Sequence, residues 1–110
     1  GMRLGGREKQ SKMKNNQPLM IEKDPTSSAE PIIGWNNYNI YLLNNNHISE
    51  NAGGNYFVKL SFEVNDNGEV YNVSIDQSAG KEMDTEATRL LKEGPKWKNA
   101  AKRAKVIFRF

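Results

Sequence analysis

Few side chains in this chain could do chemistry. His47 is the sole histidine, it follows a run of asparagines in a predicted loop, and no partner can be assigned to it, so it reads as a surface or capping residue. Cysteine is absent, which removes disulfides, thiolate metal sites and a cysteine nucleophile. Glu82, Asp84 and Glu86 cluster, but they stand where a helix begins, and acids there complement the helix dipole. No phosphate-binding loop, zinc-ligand spacing or serine-centred motif occurs. The expectation is a protein with no catalytic residue, no metal site and no cofactor.

Charge is the other chemical handle. The 110 residues carry a formal net charge of +3, unevenly spread. Arg3, Arg7, Lys9, Lys12 and Lys14 face Glu8 alone near the start. A second basic cluster, Lys96, Lys98, Lys102, Arg103, Lys105 and Arg109, closes the chain with no acid after Glu93. Clustered bases can attract nucleic acid or anionic lipid; the plainer reading is that they solvate the ends of a small domain. No apolar run approaches the length of a membrane span, and Gly1 before Met2 leaves room for a signal or anchor upstream.

The elements that position these groups begin with a hairpin over residues 56–77. Tyr56, Val58, Leu60, Phe62 and Val64 recur at every second position, with Lys59, Ser61 and Glu63 between them. That period puts one apolar face on a strand. Asn65-Asp66-Asn67-Gly68 is a strong turn signal. The return strand is expected to keep Tyr71, Val73 and Ile75 on the apolar face and Asn72, Ser74 and Asp76 on the polar one.

Around this hairpin, residues 1–30 read as a flexible basic linker and residues 31–110 as one domain. Within the linker, Leu19-Met20-Ile21 is an apolar island that could dock or add a strand. Trp35, Tyr38, Tyr41, Leu42 and Leu43 have near-helical spacing, and Asn44-Asn45-Asn46 would end that helix. Ala52-Gly53-Gly54-Asn55 reads as a flexible lead into the hairpin. Met83, Ala87, Leu90 and Leu91 define a second helix over about 83–93, stopped by Gly94-Pro95, with Trp97 as a plug for the core. Residues 105–110 form the last strand, with Val106, Phe108 and Phe110 inward. The predicted class is α+β: two helices on one face of a three-stranded antiparallel-type sheet, in the order helix, strand, strand, helix, strand. A right-handed crossover would set the last strand beside the first.

In order and spacing, these pieces resemble the C-terminal domain of TonB over about 31–110. The match is carried by Pro31-Ile32-Ile33-Gly34-Trp35 with Tyr38, Tyr41 and Leu42; by Ser61-Phe62-Glu63-Val64-Asn65 with Gly68 and Val70; and by Asn72, Val73, Ile75 and Ser78. It continues through Asp84, Glu86, Ala87, Arg89, Leu90, Leu91 and Lys92 to Gly94-Pro95-Lys96-Trp97-Lys98. The Gly-Trp lead-in and the Gly-Pro-Lys-Trp-Lys exit look most like the form found in Bacteroidetes. Departures include Asn99 where the family usually has proline, and a short basic connection in place of a glycine turn before the last strand; they bear on receptor choice more than on fold.

The resemblance implies a periplasmic domain preceded by an inner-membrane anchor and driven by an inner-membrane proton-channel complex. It would grip the N-terminal peptide of an outer-membrane TonB-dependent transporter. Similar modules also end signalling and regulatory proteins. The last strand is expected to be a sheet edge, so its backbone could accept an extended peptide. Partner binding is therefore assigned to Lys105, Val106, Ile107, Phe108, Arg109 and Phe110, with a second copy of the chain as the competing occupant. Nucleic acid is not expected, because the open face offers Phe57 as its clear aromatic and Glu63 and Asp76 would repel phosphate.

Overall fold

The computed structural model describes residues 19–48, 55–99 and 101–110. The elements in chain order are β1 (Ile21–Lys23), β2 (Glu30–Pro31), α1 (Trp35–Asn45), β3 (Phe57–Val64), β4 (Val70–Gln77), α2 (Lys81–Glu93), β5 (Trp97–Lys98) and β6 (Ala101–Arg109). β1, β6, β3 and β4 form an antiparallel sheet in that spatial order, and β2 pairs with β5 in a separate ladder. The class is α+β, as the periodicities predict, but the sheet has four strands where three were expected. The extra strand comes from the segment assigned to the linker. The basic stretch at 1–14 and the lead at 52–54 lie outside the described residues.

The alternation in β3 determines the core. Val58, Leu60, Phe62 and Val64 are buried, as are Ala104, Val106, Phe108 and Phe110 across from them. Tyr38 and Leu42 from α1 and Ala87, Leu90 and Leu91 from α2 close over the same face. Aromatic edges lock the layers: Trp97 meets Phe62 at 5.0 Å, Tyr38 at 5.3 Å and Trp35 at 5.7 Å between ring centroids, all near T-shaped. Burial pushes the Tyr38 hydroxyl well above the usual tyrosine range.

The lead-in and exit motifs turn out to be partners. Pro31 pairs with Trp97, Glu30 with Lys98, and the Ile32 amide donates to the Lys96 carbonyl at 3.0 Å. Gly68 completes this corner. It has φ of +82°, and a Cβ there would lie 2.5 Å from the Trp97 carbonyl oxygen; only glycine fits both demands.

Two helix details differ from expectation. α2 starts at Lys81 rather than near 83, because Asp84 reaches back to accept the Ala79 amide at 2.9 Å and the Ser78 hydroxyl. Asp84 thus fastens the helix start as well as meeting the dipole. Arg89 on α2 bonds Glu86, Glu93 and the Asn45 carbonyl at the end of α1, which ties the two helices together.

Candidate peptide-docking edge

β6 is the most thoroughly buried long strand apart from β3. Val106 and Phe108 are fully buried and Phe110 is 3% exposed. These side chains fix the strand's roll, so the odd-numbered residues point to the open face of the sheet. Its backbone donors alternate between neighbours. The Phe110 amide donates to the Tyr56 carbonyl at 2.8 Å, toward β3. The Arg109 amide donates the other way, to the Met20 carbonyl at 2.7 Å, and the Lys105 amide to Ser27 Oγ at 3.1 Å.

The expected open edge is therefore occupied within the monomer. Ile21, Glu22 and Lys23 stand opposite Phe108, Ile107 and Val106. This corrects the assignment of Lys105, Val106, Ile107, Phe108, Arg109 and Phe110 to a free flank. The physical cause is the apolar island: Met20 and Ile21 bury their side chains against the core, and the strand hydrogen bonds follow. Ile107, an outward residue in a bare edge strand, becomes 8% exposed with Glu22 beside it.

On the open face the charges pair across strands. Lys105 Nζ lies 3.5 Å from Asp76, which also accepts from the Ser61 hydroxyl; Asn72 donates to Glu63 at 2.7 Å. Arg109 reaches Glu22 at 2.6 Å, with its guanidinium 5.4 Å from the centroid of the Phe57 ring. Tyr71 joins this face, contrary to the alternation expected for β4. The register against β3 slips at two places, and Asn72 sits at φ of 51°, so Tyr71 stands opposite Glu63. The Glu63 carboxylate beside it raises the Tyr71 hydroxyl's pKa above its ordinary value. β4 pairs on one side only among the described residues, but these bulges and the exposure of most of its residues make it a poor template.

The other candidate groups are structural. The His47 amide donates to Glu86 Oε2 at 2.5 Å, and the Arg89 guanidinium holds the Glu86 carboxyl below the usual carboxylate range. Glu86 thus joins the end of α1 to α2. Among the described residues no three His, Asp or Glu side chains gather to hold a metal. The Thr26 hydroxyl and amide likewise lower the Asp24 pKa, fixing a turn just after β1. Nothing in the sequence marks Asn39, which is 4% exposed within α1 and whose Oδ1 accepts the Met20 amide at 2.6 Å.

The model of the Gram-negative bacterial TonB protein C-terminal family matches residues 50–110. The chain belongs to this TonB C-terminal family. The match covers β3, β4, α2, β5 and β6, and leaves β1, β2 and α1 outside it. It is a family of non-catalytic, periplasmic protein-interaction domains that interact with outer-membrane transporters in general. No curated protein and no solved structure matches the chain. Among the described residues no helix is long and apolar enough to cross a membrane.

Proposed function

We propose that this domain docks the N-terminal peptide of an outer-membrane TonB-dependent transporter by strand addition to β6. In that role it couples energy from an inner-membrane proton-channel complex, reached through an N-terminal anchor, to transport from the periplasmic side. The observation that carries the reading is the build of β6. It is a long strand, unbroken in register from Ala104 to Arg109 after one shift at its start, with the inward side chains of Ala104, Val106 and Phe108 fully packed, and a three-residue strand stands on its outer flank. A peptide taking that flank exchanges its backbone hydrogen bonds, each worth about 1 kcal/mol net, for those that β1 makes there. The exchange leaves little net gain against the cost of association, so binding is weak and reversible, which suits a grip that must release under load.

The test is a titration of the isotope-labelled chain with synthetic peptides from transporter N-termini. The expected result is saturable binding that shifts the amides of residues 105–110 and is insensitive to moderate salt. Salt-sensitive binding of a random oligonucleotide in preference to the peptides would contradict the reading. So would self-association in sedimentation that blocks the same amides, which would assign the edge to a second copy.

A further inference from the structure

The place beside β6 is filled by the chain itself, and the way it is filled describes a ligand. The Met20 amide donates to Asn39 Oδ1 at 2.6 Å and its carbonyl accepts from Arg109 at 2.7 Å. Met20 and Ile21 are 5% and 7% exposed, and Glu22 closes on the Arg109 guanidinium at 2.6 Å. An apolar pair followed by an acid, running antiparallel to β6, is what this lane holds.

The segment is also hung so that it can leave. Past Lys23 the chain turns at Asp24, whose carboxylate accepts the Thr26 amide at 2.8 Å while its carbonyl accepts the Ser27 amide at 3.0 Å. Pro25 and Thr26 are exposed. Beyond the turn, Ala29 is buried and Glu30–Pro31 pairs with Trp97–Lys98, an anchorage independent of β6. Rotation within 24–26 would swing 19–23 out of the sheet and leave in place both that anchorage and the bond from the Lys105 amide to Ser27 Oγ. The opposite flank offers no equivalent lane, because β4 is bulged at two positions.

From these contacts we propose that residues 19–24 are a built-in stand-in for the docked peptide, and that the partner is an extended peptide with two consecutive apolar residues and then an acid, admitted only when this segment leaves. The inference rests on the docking reading above and adds to it both a recognition pattern and an autoinhibitory strap. A protein whose competent state is a minority binds with affinity reduced by that fraction, so the strap sets how readily the domain engages.

The experiment pins the strap in the full chain with Glu22→Cys and Ile107→Cys. These residues stand opposite each other in the ladder, where Cα atoms are about 4.5–5.5 Å apart, within disulfide range, and the chain has no other cysteine. The probe is a fluorescent peptide copying residues 19–25, read by anisotropy, with near-ultraviolet circular dichroism of the buried Trp97 checking that the fold is kept. The same protein should bind the probe at least about tenfold more tightly reduced than oxidised. A second variant, Glu22→Lys, sets like charge against Arg109 and should bind the probe several-fold more tightly than the parent chain. Equal affinity with the strap open and closed overturns the proposal, and so does no binding in either state. Transporter peptides in the same assay separate the two claims. If they bind open and closed forms alike, the strap proposal falls and docking stands. If the copy binds the open form alone and no transporter peptide binds either form, the strap stands and the transporter reading falls.

Discussion

β4 and β6 flank the same central strand, yet they are protected in opposite ways. β4 is blunted by its own backbone: two register slips, Asn72 in a left-handed conformation, and side chains that are mostly exposed. An open groove of about 550 Å³ runs beside it, lined by Ile75, Thr88, Arg89 and Lys92 among others. β6 has one register shift, at its start between Ala101 and Ala104, keeps a continuous ladder from there to Arg109, and is shielded over that stretch by a separate piece of chain. A bulge is a permanent device, whereas a short covering strand is held by an equilibrium. Burying Met20 and Ile21 contributes about 3–6 kcal/mol. Ordering the backbone of Met20, Ile21, Glu22 and Lys23 costs about 4–8 kcal/mol. The near balance is the thermodynamic condition for a cover that can be exchanged.

The largest expected effect that separates the flanks is Phe108→Ala. This side chain is fully buried beneath β6, and its loss should cost about 3–5 kcal/mol by chemical denaturation. A small shift in midpoint would mean that β6 is misplaced. On the other flank, Ile75 is 38% exposed, and Ile75→Ala should cost less than about 1 kcal/mol. A cost near that of Phe108→Ala would show that β4 is as firmly seated as β6.

Acid should act through neither flank but through the tie between the helices. Glu86 has its pKa lowered by Arg89 from an ordinary 4.5. A depressed carboxylate contributes stability that is complete above its unfolded pKa and is lost as pH falls through its folded one. The parent chain should therefore lose stability below about pH 4.5, and Glu86→Gln should flatten part of that limb; identical acid limbs would remove the assignment. Smallest of all, the Glu22–Arg109 pair is solvent-exposed. Glu22→Gln should change global stability by less than about 1 kcal/mol, while speeding hydrogen exchange at the Arg109 amide more than at the Phe108 amide. Equal acceleration at both would show that strap and core open together.

The β3 alternation, the asparagine-glycine turn, the helix faces and the Trp97 plug were legible in the sequence because each follows from a local period or a single strong residue. What escaped was non-local or hidden by a pattern consistent with two structures. Tyr71, Val73 and Ile75 fit an unbroken strand, and nothing in their spacing reveals the slip at Asn72 that turns Tyr71 outward. Strand β1 has three residues, too few for a periodicity, and its partner lies at the far end of the chain. Leu19-Met20-Ile21 signalled that something could dock, without saying where. Residues 105–109 were thus legible as a strand beside β3, and the strand that covers their outer flank was not. The hydrogen bond from the Met20 amide to Asn39 had no sequence signal, since an asparagine within a helix gives no hint of a distant backbone partner.

The central claim, that a peptide takes the outer flank of β6 as the strap departs, is tested most directly by nuclear magnetic resonance of the chain saturated with a transporter N-terminal peptide. The account predicts intermolecular contacts from the peptide to Ile107 and Arg109, with the resonances of Ile21–Lys23 moving to those of an unpaired segment. Contacts to β4 or to the groove beside α2, with Ile21 still opposite Phe108, would contradict it.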